Sequence, residues 1–162
     1  LVHKQQKKST LVSVSSVGMN KHIRNAKTAY VDANVIIYLL EHNEEFGEKT
    51  LNLFEFGEDH GITFITSEIG MAECLFGAHK MGSDQLVKQY EKFFYEIAAV
   101  RLLPVEREIL ETTARIGAKQ RLKFVDAIHV ASALEFGCDV FITNDTGIKS
   151  MDRLPVVLIA DL

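Results

Sequence analysis

Residues 123–148 read KFVDAIHVASALEFGCDVFITNDTGI, and this stretch decides the fold. Ala127, Val130, Ala131 and Leu134 recur at i, i+3, i+4 and i+7, the spacing of one buried face of an α-helix. Gly137 is placed to end that helix as its C-cap. Asp126 stands at the helix start, where free N–H groups and the helix dipole favour a carboxylate, so its plainest role is a cap. Val140, Phe141 and Ile142 then make a short apolar run of the kind found in a strand buried on both faces. The run stops at Thr143, Asn144, Asp145 and Gly147, a polar turn at the strand's carboxyl end. In open α/β sheets that end is where ligands bind. Two carboxylates are therefore aimed at one sheet edge.

Moving outward, Thr28 to Asp32 reads as the first strand, and Val35, Ile36, Leu39 and Leu40 continue as a helical face. Asp32 alone reads equally well as the N-cap of that helix. A helix is expected over Glu44 to His60, broken by Gly61, followed by a strand over Ile62 to Thr66. The next helix runs from Glu68 to about Ala78. Ile69, Ala72 and Phe76 mark its inward stripe, with Glu73 at the missing i+4 position. A carboxylate inside an apolar stripe costs several kcal/mol unless something positive meets it; the bland reading is a stripe-edge Glu that reaches water.

Gly82 and Ser83 open a long helix carrying Leu86, Tyr90, Phe93, Phe94 and Ile97 on one side, a stripe that reads as core or dimer interface. More apolar surface than one helix of a small domain usually buries points to a homodimer. Val100 to Leu103 is a short strand, Val105 to Gly117 is helical, and Val156 to Ile159 supplies the last strand. Arg115, Lys119, Arg121 and Lys123 form a basic run leading into Asp126; it is either a solvated face or the approach path of a nucleic acid. His129, one turn beyond Asp126 and with no second His or Cys nearby, reads as a satisfied structural histidine rather than a ligand or base. Strands alternate with helices in the order β-α-α-β-α-α-β-α-α-β-β, which implies a parallel sheet covered on both faces.

Composition sets the outer bounds. The 162 residues suit one α/β domain, and 47% hydrophobic with 25% charged residues is an ordinary globular balance. No apolar run is long enough to span a bilayer, so no membrane partner is expected. Cys74 and Cys138 lie in apolar contexts outside any C-x-x-C pair, which predicts a reducing, cytoplasmic setting without zinc. The net charge of −4 is uneven: residues 1–27 carry six basic and no acidic side chains, leaving 12 basic and 22 acidic in the remainder. Met19 precedes the first regular element and is the expected natural start, with residues 1–18, up to Gly18, a disordered upstream or added extension.

Asp32, Glu73, Asp126 and Asp145 all fall at strand ends or helix starts, which one sheet edge gathers together. Asp126 has to reach that edge from a helix running back across the sheet. Four such carboxylates repel, and hold their charge together only around a cation. Oxygen ligands favour Mg²⁺ or Mn²⁺ over zinc. Such ions can clamp the attacking and leaving oxygens of a phosphodiester displacement. Asn34, Thr143 and Asn144 are placed to orient a ligand carboxylate or a bound water.

The stretches YVDANVIIYLL, SEIGMAECLFG and LKFVDAIHVASALEFGCDVFITNDTGI together resemble a PIN domain, most of all the VapC-type toxins of toxin–antitoxin pairs. The resemblance covers Ala29 to the C-terminus. It implies a three-layer α/β/α sandwich around a mainly parallel sheet, with residues 28–162 as the nuclease domain and 1–27 as a basic N-terminal extension. It also implies a Mg²⁺- or Mn²⁺-dependent endoribonuclease with its acids at Asp32, Glu73, Asp126 and Asp145, and Thr143 and Asn34 in support. An antitoxin whose segment covers the acidic pocket is the implied protein partner. Many members carry a Phe shortly after the last motif aspartate, where this chain has Gly147 and Ile148. The alternative within the family is a catalytically silent scaffold that binds RNA or protein. A dehalogenase-type phosphatase is disfavoured by Asn34, and a dinucleotide binder by the lack of G-x-G-x-x-G after the first strand.

Overall fold

Five strands make the centre of the computed structural model, which describes residues 19–97 and 99–162. They are β1 (Thr28–Val31), β2 (Thr63–Ser67), β3 (Arg101–Leu103), β4 (Val140–Thr143) and β5 (Val156–Leu158). They pair in the order β3-β2-β1-β4-β5 and every pairing is parallel. The helices among the described residues are α1 (Lys21–Arg24), α2 (Ala33–Leu40), α3 (Gly47–His60), α4 (Glu68–Lys80), α5 (Asp84–Glu91), α6 (Arg107–Gln120) and α7 (Phe124–Phe136). The expected alternation holds and the sheet is wholly parallel. The expectation for residues 1–18 lies outside the described residues. Residues 19–27 contain α1, whose Ile23 is fully buried in the core.

Each strand alternates between two cores, as a sheet covered on both faces requires. Ala29, Val31, Phe64, Val140 and Ile142 face the larger core, which also takes in Val35, Ile36, Leu53, Phe56 and Cys74. Tyr30, Ile65, Leu103 and Phe141 face the other side, with Val130 and Ala133 of α7. Asp139 closes the amino edge of the sheet: its carboxylate accepts from the N–H groups of Lys27 (2.8 Å) and Thr28 (2.9 Å). Those backbone bonds, that of Thr28 first, hold its pKa below the ordinary carboxylate value. Gly137 ends α7 at φ 74°, with Cys138 N–H on Ala133 O at 2.9 Å and Gly137 N–H on Leu134 O at 3.1 Å, a Schellman closure that requires the left-handed region.

Three local expectations are corrected. The inward face of α4 is Gly70, Cys74 and Ala78, whereas Ala72 and Phe76 are exposed, Phe76 by 71%. Small residues decide this, because they let α4 approach its neighbours closely. A Cβ on Gly70 would lie 2.5 Å from Thr66 Oγ1. The helix opened by Ser83 leaves α-geometry after Glu91, and Lys92–Ile97 is a π-helical turn. The wider turn keeps Phe93 and Phe94 inside and puts Ile97 outside, 58% exposed. Tyr90, Phe93 and Phe94 are buried within the chain itself, so these three members of the stripe are core and leave only Ile97 to a dimer face. Finally, α7 begins at Phe124 with Lys123 as its N-cap; Asp126 is the third helical residue and not the cap.

Candidate metal centre at the carboxyl edge

The chain crosses from β1 outward to β2 and β3, then returns through α6 and α7 to the other side of β1. That reversal sets a crevice between the carboxyl ends of β1 and β4, the usual ligand position of a doubly wound sheet. Asp32 follows β1 there, its N–H on Ile142 O at 3.0 Å. It does cap α2, with Oδ1 accepting from Ala33 N–H at 2.7 Å. Oδ2 accepts from Thr143 Oγ1 (2.6 Å) and Asn34 Nδ2 (2.8 Å). Thr143, fully buried at the end of β4, also accepts from Asp145 N–H at 3.0 Å, and Asn34 Oδ1 from Asn144 N–H at 3.2 Å. Asn34 and Thr143 thus orient the first carboxylate as expected. The Asn144 side chain accepts from Ala160 N–H (3.1 Å) and lies 3.5 Å from Tyr38 Oη, tying the turn to the chain end.

Glu73 reaches the same place from α4 because it lies off the Gly70, Cys74 and Ala78 face that packs inward. Its Oε2 meets His129 Nε2 at 2.6 Å, and Asp32 Oδ1 lies 3.6 Å from the same nitrogen. One ligand atom each from Asp32, Glu73 and His129 lies within 4.8 Å of the others. Asp126 and Asp145 lie outside this tight triplet but within its field. The Asp126 carboxyl is held above its ordinary pKa, first by burial and then by the charges of Asp145 and Asp32, with Lys123 and His129 opposing. Burial alone would push His129 down, but the Glu73 bond and the charges of Asp32, Glu73 and Asp126 outweigh it and raise it.

His129 is the satisfied structural histidine expected, with a second aspect. It is satisfied and 1% exposed, as a structural histidine would be, yet it also points into the acidic cluster. The signal was its place one turn after Asp126 on the same helix side. The mutual repulsion registered at Asp126 and the convergence of three further ligating side chains fit a divalent cation, with a nitrogen donor at hand besides the oxygens.

A family model described as the PIN domain matches residues 29–154. The chain belongs to the PIN domain family. Solved structures share the fold at low identity. A toxin–antitoxin complex from Klebsiella pneumoniae matches at TM-score 0.59 and 20% identity, covering 78% of this chain and 94% of that one. VapBC2 from Rickettsia felis, bound to a DNA fragment from its promoter, matches at 0.62 and 16%, covering 81% and 98%. DNA-bound VapBC from Salmonella typhimurium matches at 0.61 and 16%, covering 82% and 98%. No curated protein matches this sequence.

In this PIN domain the basic run divides. Lys123 acts on Asp126 directly. Arg121 is the left-handed C-cap of α6 at φ 57°. Arg115 and Lys119 line an open groove of about 470 Å³ together with Ser150, Asp152 and Arg153, and none of the four acids lines it. Where many members carry Phe after the last aspartate, Ile148 fills the core at 2% exposure and Gly147 N–H closes a turn on Asp145 Oδ1 at 2.7 Å. Both cysteines are buried and free. Among the described residues no helix is long and apolar enough to cross a membrane.

Proposed function

We propose that this PIN domain is a metal-dependent endoribonuclease, the toxin of a type II toxin–antitoxin pair acting in the cytoplasm. The observation that carries the reading is the meeting of Asp32 and Glu73 at the reversal point of the sheet, with Asp126 close enough to feel the charges of Asp145 and Asp32. Asp32, Glu73, Asp126 and Asp145 would hold Mg²⁺ or Mn²⁺, which would neutralise charge on the scissile phosphate and make a water more acidic. Thr143 and Asn34 keep Asp32 Oδ2 fixed, so the first carboxylate needs no reorganisation on loading. Lys123 stands beside Asp126, where it can meet a phosphate oxygen of the RNA strand. A missing acid would favour the silent-scaffold alternative, and all four are present. Cleavage of labelled single-stranded RNA in Mn²⁺, lost in EDTA, is the direct test; no cleavage of any of a panel of RNAs would refute it.

RNA approaches an acidic body, so its path runs through the remaining basic positions, Arg115, Lys119, Arg121 and Lys123, with Arg153 beside the first two. Each phosphate contact of a single strand contributes about 0.7 to the slope of log K against log salt. Arg115→Glu with Lys119→Glu is therefore expected to weaken binding and flatten that slope by about 1.4 or more. Fluorescence anisotropy across a salt series reads both, and an unchanged slope would place the strand elsewhere.

The homodimer rests instead on Ile97, the member of that stripe left outside, and on residues beyond it. Phe76 of α4, Met81 at its C-cap, and Tyr95 and Ile97 of the π turn are exposed by 71%, 59%, 60% and 58%. Where such side chains form one contiguous patch, they mark an interface. Light scattering at tens of micromolar (about the range where weak assemblies form) should give twice the chain mass; a monomer there would count against it. An adjacent small open reading frame with a DNA-binding pattern would support the antitoxin partner, and a gene standing alone would argue against it.

A further inference from the structure

His129 joins the acidic cluster to the sheet core through an unbroken series of contacts. Its Nδ1 lies 2.9 Å from Tyr30 Oη, and the two rings meet edge-on at 5.8 Å between centroids. Tyr30 is itself immobilised: its hydroxyl donates to Ser67 Oγ at 2.8 Å, accepts from Ser67 N–H at 3.1 Å, and its ring stacks on Phe141 at 5.2 Å. That arrangement sets the ring so that Nε2 leaves the core only at the cluster.

Room for the imidazole is made by Gly70, where a Cβ would come within 3.3 Å of His129 Cε1. At the far end Nε2 meets Glu73 Oε2 at 2.6 Å, while the Glu73 side chain is 41% exposed. Asp32 is fixed by three bonds from its own neighbourhood, but Glu73 comes from the middle of a helix on a flexible stem. The bond from His129 restrains it. Partners that orient a metal-ligating side chain typically change metal affinity or activity by 10–100-fold when removed.

We propose that His129 is a positioning residue, anchored by Tyr30 at Nδ1 and holding the Glu73 carboxylate beside Asp32 from Nε2. The inference rests on Glu73 being a metal ligand, as proposed above. It makes this site's second acid dependent on a residue that is not itself one of the four acids.

Two amides of different reach test it. An Asn amide nitrogen superimposes on imidazole Nδ1 and a Gln amide nitrogen on Nε2, so His129→Asn keeps the Tyr30 contact and loses Glu73, while His129→Gln keeps the donor to Glu73. Thermal unfolding across a Mn²⁺ series gives metal affinity independently of catalysis. His129→Asn is expected to need roughly 10–100-fold more Mn²⁺ for half-maximal stabilisation. Its kcat on labelled RNA should fall with KM unchanged, as for a group that acts away from substrate binding. His129→Gln should stay close to wild type. In a Glu73→Ala background the two variants should behave alike, because the coupling partner is gone. A folded His129→Asn with wild-type Mn²⁺ response and kcat would overturn the proposal, as would equal impairment in both variants, or full additivity with Glu73→Ala. Failure of the underlying metal reading looks different: wild type and Glu73→Ala would both ignore Mn²⁺, and the positioning role would fall with it.

Discussion

Asp126→Asn is expected to abolish Mn²⁺-dependent RNA cleavage while leaving the metal-free fold intact or slightly more stable. The catalytic half rests on the proposed site, in which Asp126 would be one of four metal-holding carboxylates. The stability half follows from its surroundings. Burial, with Asp145 and Asp32 behind it, raises the Asp126 pKa in the folded chain, so its charged form is tolerated there at a cost. The sign is definite. A carboxyl whose folded pKa lies above its unfolded value near 3.9 (about the model-peptide figure) binds more protons folded than unfolded between the two. Wild type therefore loses stability as pH rises from about 4 through the raised value, and Asp126→Asn lacks that loss. The two curves should converge in acid and separate above it. No helix cap is removed, because Lys123 is the N-cap of α7. Thermal melts in EDTA from acid to neutral pH, beside cleavage of labelled RNA in Mn²⁺, check both halves. Full cleavage by Asp126→Asn would remove Asp126 from the site.

Phe141→Ala should instead destabilise the whole domain by about 3–5 kcal/mol, the usual cost of emptying a buried phenylalanine position. Phe141 is fully buried on the central strand β4 and packs in the smaller core with Ile65, Val130, Ala133 and Leu154. Its ring lies nearly parallel to Tyr30, at 9°, so the cavity opens against the residue that anchors His129. For a domain of this length each kcal/mol moves the melting temperature by about 2–4 °C, which gives a fall of roughly 6–20 °C. Urea unfolding measures the loss, and a cost below about 1.5 kcal/mol, the range of volume-conserving swaps, would show that the core collapses to fill the space. Set beside Asp126→Asn, the pair separates the two demands on β4 and α7: one change removes chemistry without stability, the other stability with chemistry following.

The sequence by itself determined the layered α/β plan, because it rests on local periods. Alternating strand and helix patterns, the Gly137 closure and the polar turn after Ile142 are all properties of neighbouring residues, and parallel pairing follows from the helices between strands. It also determined the positions of Asp32 and Asp145, since strand ends are local features that parallel order places on one edge. What the tertiary structure decided are the points where a long-range contact outweighs the local pattern. The stripe on α4 reads inward by residue size, yet small Gly70, Cys74 and Ala78 permit the closest approach and turn Glu73 toward the crevice. A π turn moves Ile97 out of its stripe, because Phe93 and Phe94 gain more by both being buried. The Asn144 side chain meets the chain end, because Ala160 offers its N–H across 16 residues. His129 is the plainest case. Its neighbours in sequence mark it as core, and only the packing of α4 and α7 over β1 brings Tyr30 to one nitrogen and Glu73 to the other.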